Sequence, residues 1–171
     1  MDLKRIFSTI FILIFVFLIG WLFMQSLKPE ALPVGSLMPD LDYQDTTGTY
    51  ILKNDSTQNT IIVLFERNCE HCQYQLNQFN EHLNKFVNTR LVLLTTEQDF
   101  FNENYLEQFE ILTQAENVHW GIVNKKQFKK KFGSMVLPTI FLFNKPGKLI
   151  NKIRGEVRIE KIVTTLDGPE R

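Results

Sequence analysis

The sequence is poor in the residues that build metal sites, since 171 residues include only two cysteines and three histidines. A zinc site around two cysteines would need further ligands, and no second cysteine pair exists. His82 and His119 are scattered along the chain rather than spaced as ligands. We therefore expect no metal, and no motif indicates another cofactor.

Net charge is lacking as well, because 19 lysines and arginines balance 19 aspartates and glutamates. A chain without excess positive charge has no overall field that would recruit nucleic acid, so we expect no such partner. The local exception, the lysine-rich residues 125–131, is typical of a solvated helix face. An apolar fraction of 44% and an aromatic fraction of 12% are sufficient for a packed core.

One long apolar segment lies near the N-terminus. Residues 6–24 form a run of 19 without a charged side chain, and a helix of that length covers about 28 Å, close to the hydrocarbon thickness of a bilayer. Lys4 and Arg5 precede the run and only Lys28 closely follows it, so the positive-inside rule predicts a cytoplasmic N-terminus. The alternative, a cleaved signal peptide, would show a small-residue cleavage site, which the following residues do not offer.

This segment predicts a division of the chain into four parts. Residues 1–5 would be cytoplasmic, and residues 6–24 would form a single-pass anchor in the cell membrane. Residues 25–39 contain three prolines and a glycine and would form a tether. Residues 40–171 would form one extracytoplasmic, or periplasmic, domain.

Hydrophobic periodicity in that domain predicts alternating strands and helices. Apolar runs of the buried-strand type occur at residues 60–65 and 91–95, and two further strands are predicted at residues 117–123 and 139–143. Apolar residues at helical spacing predict helices over residues 69–86, 98–109, 125–132 and 159–166. Hairpins are predicted over residues 40–53 and 139–154. The order predicts an α/β fold with a central mixed sheet flanked by helices.

The two cysteines occur together as Cys69-Glu70-His71-Cys72. Cys69 lies where a predicted buried strand gives way to a helix, so free backbone N–H groups and the positive end of the helix dipole favour its thiolate. Cys72 lies one turn further, on the buried stripe of the same helix, where its sulfur can attack a mixed disulfide. The pattern therefore predicts a redox-active pair with Cys69 as the nucleophile and Cys72 as the resolving thiol.

Other interpretations of this cysteine pair are weaker. A purely structural disulfide with this spacing closes almost no loop and so stabilises little. Haem attachment needs a histidine directly after the second cysteine, where this chain has Gln73. Between the cysteines, His71 can stabilise the Cys69 thiolate, whereas Glu70 opposes it by charge repulsion, and the pattern leaves open which effect dominates.

Four short motifs follow one another along the domain. They are the strand TIIVLF, the CEHC sequence that opens a helix, VLPT leading into the strand TIFLF, and the turn KPGK. In this order they resemble the thioredoxin superfamily, and the N-terminal anchor and added hairpin are most similar to its TlpA and ResA branch. The resemblance extends over about residues 33–166.

The resemblance assigns roles outside the cysteine pair. In that superfamily the proline of the V-x-P-T stretch is cis and packs beside the active-site disulfide, which implies this role for Pro138. The backbone of Leu137 would then pair with an extended segment of a substrate protein. Gly155 resembles a glycine that family members keep near the same surface. The implied activity is thiol-disulfide exchange with protein substrates.

The chain departs from the family pattern at two acidic positions. The buried acid that thioredoxins place six residues before the first cysteine is Val63 here, and the glutamate that ResA-type proteins place three residues after the second is Gln75. Glu66 is the nearest substitute, unless it is an ordinary solvated loop carboxylate. A peroxiredoxin is disfavoured because Glu66 also replaces the threonine or serine of that family.

Three functions are compatible with these patterns. The leading one is a membrane-anchored reductant outside the cytoplasm, which exchanges disulfides with proteins and receives electrons from a donor in the membrane. His71 before the second cysteine instead resembles disulfide-forming oxidants of DsbA-like character, whereas Glu70 resembles the reductants of cytochrome c maturation. The third is a non-catalytic module that binds a peptide or copper. The oligomeric state is not set by the sequence.

Overall fold

Residues 3–26, 32–102, 104–133 and 135–168 are described by the computed structural model. Their contacts divide the chain into two units, Met1–Glu30 and Ala31–Arg171. In the first unit a single helix, α1, spans Leu3–Ser26. Among the described residues, no helix combines the length and the apolar character needed to cross a membrane. The predicted anchor therefore stays a prediction.

The second unit is built on a mixed β-sheet. Within the described residues its seven strands are β1 (Leu41–Gln44), β2 (Thr49–Leu52), β3 (Asn59–Phe65), β4 (Thr89–Thr95), β5 (Val118–Val123), β6 (Thr139–Phe143) and β7 (Leu149–Arg154). They lie in the order β2-β1-β5-β4-β3-β6-β7. Strands β3, β4 and β5 are mutually parallel, whereas β1, β2, β6 and β7 run antiparallel to their neighbours. The predicted α/β class is confirmed.

Strand β3 is protected on all sides. It lies between β4 and β6, and its side chains from Thr60 onward are buried. Successive side chains alternate between two apolar clusters, with Ile61 and Val63 in one and Ile62 and Leu64 in the other. Because neighbouring residues of a strand point to opposite faces, these clusters lie on the two faces of the sheet.

Helices cover both faces. On the first face lie α2 (Glu70–Glu81), α3 (Glu110–Gln114) and α5 (Ile159–Leu166), which contribute buried side chains to the same cluster. On the second face α4 (Lys125–Phe132) buries Phe128 and Phe132. Four of its lysines are exposed, as predicted for a solvated helix face: Lys125, Lys126, Lys129 and Lys130.

Two predicted helices differ from those in the structure. The helix expected over residues 69–86 ends at Glu81, because His82 leaves the helical conformation with φ −121° and ψ 24°. A 3-10 turn, Leu83–Phe86, then keeps Leu83 and Phe86 in the same apolar cluster. The helix expected over residues 98–109 consists of two 3-10 segments, Phe100–Asn102 and Asn104–Phe109. An apolar stripe shows which side chains are buried, but it does not specify the hydrogen-bond spacing beneath them.

The predicted tether differs from the structure in its second half. Leu32 and Met38 are buried in the cluster that also contains α4. The backbone between them is bound to the β6–β7 hairpin, since Gly35 N–H donates to Leu149 O at 2.7 Å and Met38 N–H donates to Gly147 O at 2.8 Å. The folded unit thus includes residues before Asp40, and residues 27–31 of the predicted tether lie outside the described residues.

Candidate active site

The cysteine motif lies at the junction between β3 and α2. Cys69 is the N-cap of α2, with extended backbone angles, and its carbonyl accepts hydrogen bonds from Cys72 N–H at 2.9 Å and Gln73 N–H at 3.0 Å. Its sulfur also faces the Cys72 N–H at 3.3 Å. This junction follows from the sequence, because a buried parallel strand ends at Phe65 and an amphipathic helix begins a few residues later.

Cys69 and Cys72 form a disulfide with Cα atoms 5.1 Å apart. The two cysteines differ in exposure. The Cys72 side chain is completely buried in the first apolar cluster, whereas Cys69 is partly exposed. An incoming thiol can therefore reach the Cys69 side of the bond, as a substrate disulfide could reach Cys69 in the dithiol form, and both are kept from Cys72.

The loop that leads to Cys69 is pinned to the end of β4. The Arg67 N–H donates to Glu97 Oε2 at 2.9 Å, and the Arg67 guanidinium pairs with Glu97 Oε1 at 3.3 Å and with Asp99 at 2.8 Å. The Arg67 carbonyl accepts a hydrogen bond from Gln73 on α2 at 2.8 Å. Arg67 and Glu97 are mostly buried, so their attraction is only weakly screened by solvent. These contacts hold the loop in one conformation.

Neither Arg67 nor Glu97 was identified from the sequence. Their positions shortly after two neighbouring parallel strands were the available signal, because the carboxyl ends of such strands lie side by side. The same charges act on Tyr105, whose pKa is raised to about 12, first by burial and then by Glu97, with Arg67 opposing.

The two residues between the cysteines have different surroundings. Glu70 is exposed in the first turn of α2, where its negative charge interacts favourably with the positive end of the helix dipole. His71 is also exposed, and its Nδ1 lies 3.0 Å from Glu156 Oε2. Glu156 was not identified from the sequence, because it lies 85 positions from His71 along the chain.

Glu66 contacts the β4 side of the site. Thr96 Oγ1 donates a hydrogen bond to Glu66 Oε1 at 3.4 Å, and the Glu66 side chain is partly buried. Among the described contacts, Glu66 meets this threonine rather than either cysteine. Its predicted tuning of the cysteine pair stays a prediction.

The loop before β6 approaches the same edge of the sheet. The Leu137–Pro138 peptide bond is cis, as the family resemblance implied. Thr139 pairs with Leu64 in the antiparallel β3–β6 ladder, which brings this loop beside the end of β3. Pro138 is buried and Leu137 is partly exposed. Gly155 N–H donates to Pro138 O at 2.7 Å.

The two positions that hold acids in related proteins are neutral and buried. Val63 and Gln75 are each completely buried. Gln75 Oε1 accepts a hydrogen bond from Val157 N–H at 2.8 Å, and its Nε2 has no hydrogen-bond partner among the described residues. A glutamine cannot exchange a proton near neutral pH, so it serves here as a fixed polar group on the buried face of α2.

Comparison with known proteins yields consistent matches. The sequence profile of the family described as thioredoxin-like domain matches residues 49–168. Thiol-disulfide oxidoreductase ResA of Bacillus thuringiensis subsp. konkukian (strain 97-27) is 24% identical over 165 residues, which cover 93% of this chain and 92% of that protein.

Two solved structures illustrate the likeness of fold. A peroxiredoxin-like protein from Aquifex aeolicus has a TM-score of 0.66 and 17% identity, over 81% of this chain and 88% of its own. A thiol:disulfide interchange protein from Bacteroides sp. has a TM-score of 0.62 and 17% identity, over 82% and 94% of the two chains. Because the matched profile covers most of the sequence and includes the Cys69–Cys72 disulfide, the chain belongs to the thioredoxin-like family, as one of its thiol-disulfide oxidoreductases.

Proposed function

We propose that this protein is a membrane-anchored, extracytoplasmic enzyme that reduces disulfides in other proteins through Cys69 and Cys72. The observation that carries the proposal is the asymmetry of the pair. Cys69 is partly exposed at the N-terminus of α2, and Cys72 is buried on the same helix. An attacking thiolate must be accessible, and a resolving thiol must be shielded until a mixed disulfide forms.

In the reaction, the Cys69 thiolate attacks one sulfur of a substrate disulfide. The substrate S–S bond breaks, a Cys69–substrate disulfide forms, and the first substrate thiolate leaves and takes up a proton from solvent. Cys72, once deprotonated, then attacks the Cys69 sulfur and releases the second substrate thiolate. Two electrons pass from the enzyme dithiol to the substrate, and the Cys69–Cys72 disulfide is left for re-reduction by a donor in the membrane.

The substrate would bind beside the loop that precedes β6. Leu137 is partly exposed and Val136 is exposed, next to the end of β3 that leads to Cys69. An extended peptide that hydrogen-bonds to the backbone of Leu137, with Pro138 beneath it, would bring its disulfide to Cys69.

Reduction is favoured over oxidation by the charges near the pair. Glu70 lies beside Cys69, and Glu156 lies against His71. Negative charge near Cys69 disfavours its thiolate and therefore the dithiol form, and a couple whose dithiol form is less stable is a stronger reductant.

The anchor and the location outside the cytoplasm are supported by the sequence. The charge-free run at residues 6–24 lies within α1, and the described large apolar side chains of α1 are exposed. Lys4 and Arg5 precede this run, which favours a cytoplasmic N-terminus.

Catalysis is tested by insulin reduction and by trapping. Replacing Cys72 with alanine should abolish multiple-turnover reduction of insulin and should leave covalent complexes between Cys69 and substrate proteins, visible on non-reducing gels. Cys69→Ala is the matched control, and it should abolish both the turnover and the complexes. An active Cys72→Ala enzyme, or the absence of complexes together with an inactive wild type, would contradict the proposed mechanism.

The direction of electron flow is tested by the reduction potential of the Cys69–Cys72 couple against glutathione. A value below about −250 mV supports a reductant. A value of about −120 mV, typical of a strong oxidant, contradicts the proposed direction and favours disulfide formation.

Membrane attachment is tested on the full chain. The wild type should remain in the membrane pellet after alkaline carbonate extraction, whereas arginine at both Leu13 and Val16 should release it, because arginine in the bilayer centre costs about 3 kcal/mol per residue. Protease added to spheroplasts, from which the wall and any outer membrane have been removed, should digest the domain while a cytoplasmic marker survives. A carbonate-soluble wild type, or a protected domain, would contradict the proposed location.

A further inference from the structure

Residues 155–157 contact the cysteine site at three points. Gly155 N–H donates to Pro138 O at 2.7 Å, Glu156 Oε2 lies 3.0 Å from His71 Nδ1, and Val157 N–H donates to Gln75 Oε1 at 2.8 Å. We call this stretch the bridging segment, because it connects the loop before β6 with the helix that carries both cysteines. Two of its three contacts are made by its own backbone, so its position does not depend on the Glu156 side chain.

The contact with Glu156 determines how the His71 ring is held. An ionised carboxylate only accepts hydrogen bonds, so the hydrogen in this contact must lie on Nδ1 of His71. An Nδ1–H group directed at Glu156 cannot at the same time be directed at the Cys69 sulfur. His71 is the second residue of α2, immediately after Glu70 and within the first turn that Cys69 caps.

The orientation of His71 bears on the redox equilibrium because the dithiol form carries the thiolate. An imidazole N–H or imidazolium free to face Cys69 would stabilise that thiolate and shift the couple toward the dithiol. By accepting the Nδ1–H of His71, Glu156 keeps this donor from Cys69. Glu156 also places a negative charge at the edge of the site. Both effects act in one direction, toward the disulfide form and a more strongly reducing enzyme.

We propose that Glu156 is a positioning residue that lowers the reduction potential of the Cys69–Cys72 couple by holding His71 away from Cys69. The inference rests on the proposed function, since it concerns the same dithiol exchange. It also bears on the balance between His71 and Glu70 that the sequence left open, because it leaves the opposing effect of Glu70 uncompensated. His71 is the group that can stabilise the Cys69 thiolate, and Glu156 binds the His71 ring so that it does not do so.

The test measures the equilibrium of the purified full chain in detergent with glutathione at one fixed pH. In this exchange the enzyme dithiol and glutathione disulfide give the enzyme disulfide and two glutathione thiols, so atoms and electrons balance. We expect Glu156→Ala to shift the equilibrium constant at least tenfold toward the enzyme dithiol, which corresponds to about 30 mV. Glu156→Gln keeps an acceptor of the same shape without the charge, and it should give a smaller shift in the same direction.

A double-mutant cycle separates positioning from simple charge or from folding. In a His71→Ala background, Glu156→Ala should shift the equilibrium constant severalfold less than it does in the wild type, because only the direct effect of the Glu156 charge remains. Glu160→Ala is the matched control, since Glu160 is an exposed glutamate four residues away that pairs with Lys85 at 3.1 Å instead of with the site. It should leave the equilibrium constant unchanged.

Three outcomes would overturn the inference. The first is an unchanged equilibrium constant in both Glu156 variants. The second is an equal shift with and without His71, since the carboxylate would then act on the sulfur directly. The third is a lowered melting temperature without a redox shift, which would make the contact merely structural. These readouts do not depend on substrate proteins, so an inactive wild type in the insulin assay would refute the proposed function separately.

Discussion

Two strand-to-helix junctions at the same edge of the sheet are built in opposite ways. Strand β5 passes directly into α4 through Asn124, whose side chain accepts hydrogen bonds from Lys126 N–H at 3.0 Å and Gln127 N–H at 3.1 Å. Strand β3 passes into α2 through a loop that ends at Cys69, whose sulfur makes one longer contact of 3.3 Å.

The charges of the first helical residues differ in the opposite sense, because the helix with the better N-cap has the less favourable charge. α4 begins with Lys125, whose charge opposes the positive end of the helix dipole, whereas α2 begins with Glu70, whose charge favours it. Asparagine is among the best N-caps and cysteine is not. At α4 the N-cap residue Asn124 therefore stabilises the helix. At α2 the capping position is occupied by a sulfur, and the Cys72 N–H of the first turn faces that sulfur.

The largest expected effect comes from giving α2 the cap of α4. Cys69→Asn should abolish dithiol exchange, with insulin reduction falling at least about 1000-fold, because no other accessible thiol replaces the nucleophile. Compared with the fully reduced wild type, its free energy of unfolding should rise by about 0.5 to 1 kcal/mol, since asparagine caps better. Urea unfolding in excess reductant measures this. A reduced wild type that is more stable than the variant would show that Cys69 is not a weak cap.

The second prediction concerns the loop that only the β3 junction possesses. Glu97→Ala should lower the free energy of unfolding by about 2 kcal/mol, because it removes the acceptor of the Arg67 N–H and the mostly buried carboxylate that pairs with the Arg67 guanidinium. Insulin reduction should fall severalfold, since the loop positions Cys69. Asp99→Asn is the control, with an expected loss below about 0.5 kcal/mol, because Asp99 is largely exposed. Equal losses in the two variants would contradict this account of the loop.

The third prediction weakens the cap at α4. Asn124→Ala should lower the free energy of unfolding by about 1 kcal/mol, because two N–H groups lose their acceptor. The redox equilibrium with glutathione should not change. Asn124→Asp, which keeps an acceptor, should retain wild-type stability. If Asn124→Ala also shifted the redox equilibrium, the two junctions would be coupled and the comparison between them would fail.

The smallest effects are expected from exchanging the first-turn charges. Lys125→Glu should raise the free energy of unfolding by about 0.5 kcal/mol at low salt, and Glu70→Lys should lower it by a similar amount. Glu70→Lys should in addition move the glutathione equilibrium toward the dithiol, because a cation beside Cys69 favours its thiolate. Both stability effects should decrease in high salt. The prediction fails if Lys125→Glu moves the redox equilibrium as much as Glu70→Lys does.

The parts of the site that follow from neighbouring residues could be predicted from the sequence. The buried run before Cys69 and the apolar stripe after it predicted β3, the start of α2 and the burial of Cys72, since each depends on local periodicity. The resemblance to the thioredoxin superfamily supplied the cis bond at Pro138, which the residue alone does not predict.

The end of α2 and the segment that follows β4 could not be predicted in the same way. A single stripe from Cys72 to Phe86 indicated one helix, yet His82 interrupts it and a 3-10 turn completes the same buried face. Phe100 and Phe109 pack at 6.0 Å from Trp120, so the aromatic cluster determines the path of the 3-10 segments. Packing against a distant strand thus overrides the spacing along the chain.

By itself, the sequence determined that a redox-capable cysteine pair opens an amphipathic helix after a buried strand. Only the tertiary structure decided which charges surround that pair. Glu97 lies 30 positions from Arg67 and Glu156 lies 85 positions from His71, whereas Val157 reaches Gln75 across 82 positions. Contacts over such separations depend on how the sheet orders its strands and returns its loops to one edge, and local periodicity carries no information about that order.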